Sequence, residues 1–179
     1  MKGIVFTEFI ELVEEKFGYA MVDDIIEASD LPSGGAYTAV GTYSHSEMVK
    51  LVAQLSQRTD ISVDDLLKIY GKHLLSVFLR SYPQFFENVN SAFTFLQKID
   101  NYIHLEVQKL YPDAELPKFL IQNLNDNELE MTYQSERKMS ALAEGLIEAT
   151  LEYYQQASSV EKILLKEDGS EVKFIIRKI

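Results

Sequence analysis

The sequence predicts an α+β fold, in which a mostly helical N-terminal part is followed by an antiparallel sheet of about four strands with a long helix packed on it. Up to Tyr111 and Pro112, apolar residues recur at spacings of three and four, which is the pattern of amphipathic helices. Beyond Pro112 the pattern changes to two short strand-like segments, a helical segment and two more strand-like segments. No internal repeat or linker interrupts the chain, so we expect residues 1–179 to form one domain.

The composition is that of a folded protein that can enclose a cofactor-sized pocket. Hydrophobic residues make up 46% and charged residues 25% of the chain. A chain of this length buries roughly 70% of its unfolded surface. No apolar run approaches the ~18 residues of a membrane span, and no basic and apolar leader opens the sequence. We therefore expect a cytoplasmic protein without membrane insertion.

The charge and the absence of cysteine exclude several classes of function. The formal net charge is -11 and no basic stripe is visible, which argues against a nucleic-acid partner, because phosphate binding requires such a stripe. The sequence contains no cysteine, which excludes disulfides, thiolate nucleophiles, cysteine zinc sites and cysteine-ligated heme.

Four helices are predicted before the change of pattern. The first covers residues 2–17 and is stopped by Gly18, and the second covers residues 21–29. A capping box begins a third helix at Ser44 and another begins the fourth at Ser62, because each serine is followed three residues later by an acidic residue.

Gly71 lies inside the fourth predicted helix, where glycine is unfavourable. It costs about 1 kcal/mol relative to alanine in a helix interior. We therefore expect another element or a ligand to approach the backbone closely at this residue. The neighbouring His73 is interpreted as a structural residue.

A helix over residues 99–110 contains a histidine of uncertain role. Its apolar stripe consists of Ile99, Tyr102, Ile103, Val107 and Leu110. His104 stands beside that stripe, on a mixed face. Two interpretations remain open from the helix alone: an ordinary surface or capping histidine, and a ligand.

The next two segments, residues 119–121 and 129–133, predict strands joined by a polar turn. At the end of the second strand, Tyr133, Ser135 and Arg137 are spaced so that an extended chain would present all three on one side. Two hydroxyls and a bidentate arginine suit a pair of carboxylates or a phosphate. A solvated edge strand with a charged tip is the alternative interpretation.

The C-terminal segments complete the predicted sheet. Apolar residues over 139–154 trace a long helix with one strong apolar face. Residues 160–166 and 171–179 flank Asp168 and Gly169, which is a strong signal for a hairpin.

Several of these features occur together. Glu115-Leu116-Pro117 follows the His104 helix, Tyr133-x-Ser135-x-Arg137 follows that, and the chain starts Met1-Lys2-Gly3 with an amphipathic helix. In this combination the sequence resembles the heme nitric oxide/oxygen binding (H-NOX) family of bacterial gas sensors, related to the heme domain of soluble guanylate cyclase, over essentially its whole length. The resemblance implies the H-NOX fold, a sensor and not an enzyme, with a distal subdomain near 1–62 and a proximal one near 63–179.

The resemblance also assigns a heme b site. It implies that His104 is the proximal iron ligand, with a backbone carbonyl or water holding its other ring nitrogen. Tyr133, Ser135 and Arg137 would bind the two heme propionates. Pro117 would press on the porphyrin and keep it distorted.

The family resemblance identifies the wall that selects the gas. In oxygen-binding members, a tyrosine on the helix after the Tyr-x-Ser-x-Arg motif donates a hydrogen bond to the gas, and the matching position here is Leu142. Phe9, Leu74, Val5 and Leu146 complete an apolar wall. We therefore expect a sensor that binds nitric oxide, and also carbon monoxide, but excludes oxygen. Plain core packing is the alternative for Phe9, Leu74, Leu142 and Leu146.

The remaining functional alternatives are an oxygen-binding sensor and a cofactor-free interaction module. A heme enzyme is disfavoured because no acid or base stands on the predicted distal wall. For signalling, the resemblance implies that nitric oxide releases His104 from the iron and that the heme and helix rearrange. The predicted partner is a separate protein, a sensor histidine kinase first and a diguanylate cyclase second.

Overall fold

The computed structural model describes all 179 residues and confirms the predicted α+β fold. It contains seven α-helices and one antiparallel sheet with the strand order β1-β2-β4-β3. The helices are α1 (Gly3–Phe17), α2 (Tyr19–Ala28), α3 (His45–Thr59), α4 (Val63–Ser81), α5 (Ala92–Gln97), α6 (His104–Leu110) and α7 (Ser140–Tyr153). The strands are β1 (Lys118–Asn125), β2 (Glu128–Gln134), β3 (Ser158–Leu164) and β4 (Glu171–Lys178). None of the helices combines the length and the apolar character that crossing a membrane would require.

The two predicted capping boxes have different outcomes. Ser62 caps α4 as expected, because its hydroxyl accepts a hydrogen bond from the Asp65 N–H at 3.1 Å. Ser44 caps α3 through Ser46 N–H at 3.3 Å. Glu47 does not complete that box, since its carboxylate accepts hydrogen bonds from the hydroxyls of Ser33 and Tyr37 and lies almost fully buried. Glu47 therefore bonds to residues that are distant in the sequence and not to the backbone at the start of α3.

Two hydrophobic clusters form the interior, and α7 belongs to both. The first cluster joins α1 to α4 and includes Met139 and Ala141. The second joins α5 to the inner face of the sheet and includes Ala143, Ile147 and Leu151 of α7. In the sheet, Tyr133 of β2 pairs with Phe119 of β1 and with Val172 of β4, so these three side chains face the second cluster together.

The helices α4 and α7 pack with their backbones close together. A Cβ on Gly71 would overlap the carbonyl oxygen of Leu142, and one on Gly145 would overlap that of Lys68. The structure thus confirms the close approach predicted at Gly71. Ion pairs run along the same interface, with Lys68–Glu144 at 2.8 Å and Lys72–Glu152 at 2.7 Å.

Replacing Gly145 by alanine tests this contact. Alanine would normally favour a helix by about 1 kcal/mol. Here we expect Gly145→Ala to lower the free energy of unfolding by about 1–3 kcal/mol, because the helices must move apart. The control is Glu148→Ala, which removes partly exposed ion pairs to Lys68 and Lys72 and should cost about 1 kcal/mol or less. Urea denaturation measures both. A Gly145→Ala protein as stable as the original would contradict the close contact.

Candidate functional site

A largely apolar cavity lies between the two hydrophobic clusters. Its volume is about 270 Å³, and 25 of the 32 residues that line it are hydrophobic. Besides the hydroxyls of Tyr82, Tyr111 and Tyr133, the polar side chains at its surface are Lys2, His104, Glu115, Ser135, Arg137 and Thr150. An apolar space with a small number of polar groups is the usual form of a cofactor or ligand site.

His104 reaches this cavity because the helix before it is irregular. Residues Ile99–Ile103 form a π-helical turn, in which the N–H of His104 bonds to the carbonyl of Ile99, five residues earlier. A π turn holds more residues than an α turn, so it changes the direction of the side chains that follow. Tyr102, predicted on the apolar stripe, is consequently 46% exposed. The prediction that His104 stands beside the apolar stripe is wrong. His104 lines the cavity together with four residues of that stripe, Ile99, Ile103, Val107 and Leu110.

The imidazole of His104 is mostly enclosed and has one charged neighbour. Its ring lies 6.0 Å from that of Phe119, and its Nδ1 lies 3.6 Å from an Asp100 carboxylate oxygen. Burial lowers the pKa of His104 below its usual value, although Asp100 acts in the opposite direction. The side chain is therefore neutral at pH 7. Neutral imidazole is the form that binds a metal.

The Tyr133, Ser135 and Arg137 side chains all line the cavity, but not as one face of a strand. β2 ends at Gln134, so only Tyr133 lies within it, and the strand geometry predicted for the other two is wrong. A turn follows, in which the N–H of Arg137 donates to the hydroxyl of Ser135 at 3.2 Å. The guanidinium then donates to the carbonyl of Glu115 at 2.7 Å.

These three side chains keep unused hydrogen-bond donors. The hydroxyl of Tyr133 accepts from the N–H of Met139 at 3.1 Å, and that of Ser135 accepts from Arg137 N–H, so both hydroxyl hydrogens are free to donate. Arg137 is only 14% exposed and retains further N–H groups beyond the one bound to Glu115. Together they suit an anionic group with several acceptor oxygens, such as a pair of carboxylates.

The wall nearer the first cluster is apolar. Val5, Leu74, Leu142 and Leu146, the residues predicted for the gas-selecting wall, line the cavity there. Phe9, predicted with them, is buried within the first cluster, where its ring meets that of Tyr70 edge-on at 5.2 Å. Further along α7, Thr150 is the one cavity-lining residue with a hydroxyl; this hydroxyl donates to the carbonyl of Leu146 at 2.7 Å and has no hydrogen left.

A polar contact closes the rim of the cavity. Asp113, in the loop after α6, accepts hydrogen bonds from the Lys2 ammonium at 3.2 Å and from the Thr42 hydroxyl at 2.6 Å. Lys2 also lies over the Tyr111 ring, with its nitrogen 5.1 Å from the ring centre. We call these groups the Asp113 contact. It joins the start of the chain to the segment that follows the His104 helix.

The residues present fit a heme. A heme needs apolar walls, an axial base and a clamp for two carboxylates, and this cavity offers each of the three. Pro117, on the segment before β1, also lines it. The sequence did not predict that Asp100 lies beside His104 or that the carbonyl of Glu115 accepts a hydrogen bond from Arg137. An aspartate four residues before a histidine in a helix was the available signal for Asp100.

The chain is similar to proteins of known structure. A family profile described as Haem-NO-binding matches residues 2–162. The Fe(II) unliganded H-NOX protein from K. algicida is 48% identical with a TM-score of 0.97, covering 100% of this chain and 97% of that chain. The H-NOX from Shewanella woodyi, in the Fe(II)CO state with IWP-051 bound, is 38% identical with a TM-score of 0.84, covering 100% and 95%. An H-NOX protein from S. oneidensis in the Fe(II)NO state is 26% identical with a TM-score of 0.92, covering 100% and 99%. No curated protein matches.

The roles of Arg137 and Ser135 can be compared by heme retention. Arg137→Ala should speed heme loss about 10- to 100-fold, because hydrogen bonds to a charged group contribute more than neutral ones. Ser135→Ala should speed it by less than about tenfold. Transfer of heme to an excess of apomyoglobin measures both rates. Arg177→Ala serves as the control, since Arg177 pairs with Glu128 and Glu161 on the sheet and does not line the cavity. Equal rates for the Arg137 and Ser135 variants would count against the carboxylate clamp.

Proposed function

The chain belongs to the haem-NO-binding (H-NOX) family of heme-binding gas sensors, and from this we propose that it is a nitric oxide sensor that discriminates against oxygen. The cofactor would be heme b, whose ferrous iron would bind a diatomic gas. His104 would hold the iron through Nε2, and Tyr133, Ser135 and Arg137 would hold the propionates. The protein acts in the cytoplasm as a sensor and catalyses no reaction.

The observation that carries gas selectivity is the absence of a free donor on the wall formed by Val5, Leu74, Leu142 and Leu146. A hydrogen-bond donor on this wall would stabilise bound oxygen, which would carry partial negative charge, whereas nitric oxide would bind without one. None of these four side chains carries a polar hydrogen. The Fe(II)NO and Fe(II)CO states of the S. oneidensis and S. woodyi relatives support the same pair of ligands here.

An oxygen sensor is the second candidate, and two tyrosines favour it. Tyr82 and Tyr111 both line the cavity, and each carries a hydroxyl. They lie 3.4 Å apart and bond to each other, so one of their two hydrogens is already used. Burial and the neighbouring hydroxyl raise the pKa of Tyr82 to about 12, so it remains a neutral phenol. The remaining hydrogen is the one possible donor for a gas among these two groups.

Absorption spectra of the purified ferrous protein under argon, air and nitric oxide separate these candidates. A nitric oxide sensor changes its spectrum on addition of nitric oxide and keeps its argon spectrum in air until slow oxidation. An oxygen sensor changes at once in air. A protein that shows no heme band after expression with adequate heme is neither, and would have to be a cofactor-free interaction module.

The axial role of His104 is tested by removing its side chain. His104→Gly should lose heme or hold it loosely, and added imidazole should restore a ligated spectrum because it fills the space left by the side chain. His73→Ala is the control, since His73 faces Glu8 at 3.4 Å and does not line the cavity. A ferrous spectrum unchanged by His104→Gly would reject the ligand assignment.

Leu142→Tyr tests the distal wall by adding a phenol. We expect the spectrum of the ferrous variant in air to depart from its argon spectrum and to hold that change for longer than the original protein does. The gain should be modest, because Leu74 and Leu146 offer no polar group to orient the phenol. Leu142→Phe adds the same ring without the hydroxyl and should show no gain. Equal behaviour of the two variants would show that Leu142 is remote from the gas.

For signalling, we propose a partner protein, a sensor histidine kinase first and a diguanylate cyclase second, on the basis of the family resemblance. A ligand moves an equilibrium only by its difference in affinity for the two states. Nitric oxide should loosen His104 from the iron, whereas carbon monoxide should leave it in place. Partner activity measured with each gas should therefore respond mainly to nitric oxide. Equal responses would show that release of His104 is not the switch.

A further inference from the structure

Asp100 occupies a special position beside His104. It lies in the π-helical turn, four residues before the histidine, and its carboxylate oxygen is 3.6 Å from Nδ1. The same oxygen accepts a hydrogen bond from the N–H of Phe119, the second residue of β1, at 3.1 Å. One carboxylate therefore touches both the histidine ring and the edge of the sheet.

No other charged side chain is paired with this ring. Glu106, two residues after His104, forms its ion pair with Lys109 at 2.6 Å. Asp100 itself is 28% exposed, and the bond from Phe119 fixes its position. The Asp100 carboxylate beside Nδ1 is therefore held in place by its hydrogen bond from the backbone of β1.

We propose that Asp100 is a positioning residue that holds His104 in the Nδ1–H tautomer and strengthens the bond that Nε2 makes to the iron. The inference rests on the proposed function, in which His104 is the axial ligand. It adds a residue that sets how readily that ligand is released.

The negative charge of Asp100 determines which ring nitrogen of His104 carries the hydrogen. A neutral imidazole carries its hydrogen on one nitrogen, and a carboxylate beside Nδ1 favours the form with the hydrogen there. The lone pair of Nε2 is then available to the metal. Negative charge near Nδ1 also stabilises the positive charge that the ring gains when it donates electrons. At 3.6 Å the two atoms are farther apart than a hydrogen bond allows, so this effect operates in the present geometry as a charge and not as a full hydrogen bond.

The tautomer can be tested without heme. In ¹⁵N NMR spectra of the heme-free protein at a pH where His104 is neutral, we expect the Nδ1–H form to predominate. In Asp100→Asn the charge is gone, and we expect a mixture with the Nε2–H form. Predominance of the Nε2–H form in the original protein would overturn the proposal, whether or not the protein binds heme.

The bond to iron is tested in the ferrous, heme-loaded protein by resonance Raman spectroscopy. Asparagine keeps an oxygen that can accept from Phe119 N–H, so Asp100→Asn should unfold at nearly the original temperature. Its iron–histidine stretching frequency should fall, and loss of the histidine ligand on nitric oxide addition should be about tenfold faster. The control is Glu106→Gln, which removes one negative charge nearby and should change neither.

Other outcomes separate a structural role from the proposed one. If Asp100→Asn and Asp100→Ala both lower the unfolding temperature while the stretching frequency stays constant, Asp100 only supports β1 and the proposal is wrong. If the original protein shows no iron–histidine band although heme is bound, the ligand assignment of His104 fails. The NMR result then decides the tautomer separately.

Discussion

The packing of α7 against α4 is the contact on which the cavity depends. α7 supplies side chains to both hydrophobic clusters, so it is the element that the two walls share. Gly71 and Gly145 let the two backbones approach, and no larger residue could stand at either position without moving a helix. The ion pairs along the interface are partly exposed and contribute little beside this steric fit. The spacing of the walls is therefore set mainly by two residues that have no side chain.

The polar groups of the site are held by the backbone around them. Tyr133 is fixed by the N–H of Met139, Ser135 by that of Arg137, and Arg137 by the carbonyl of Glu115. An unpaired polar group in such a place would cost about 1–3 kcal/mol, so each of these bonds also stabilises the protein. The groups that would bind a cofactor are therefore oriented by hydrogen bonds within the protein itself.

The sequence predicted most of the fold, and of the ten residues that it assigned to the site all but Phe9 line the cavity. Long apolar stripes and capping serines identified the helices, because their signals are local. The π-helical turn before His104 was not foreseen, since one extra residue in a turn leaves the apolar spacing almost unchanged over so short a segment. Nor was the turn at Ser135 and Arg137, because alternate residues share a side in a strand and also converge in this turn. Glu47 was assigned a local partner because Ser33 and Tyr37 are distant in the sequence.

The Asp113 contact and the packing of α4 against α7 stabilise the molecule by different physics. The carboxylate of Asp113 is 58% exposed, although the Lys2 side chain is only 12% exposed, so ions can reach one side of the pair. At physiological ionic strength charges are screened over about 8 Å, and screening grows as salt is added. Packing between α4 and α7 has no such dependence, because it involves uncharged atoms in van der Waals contact. The rim of the cavity is therefore joined by a contact that weakens in concentrated salt, while its walls are joined by one that does not.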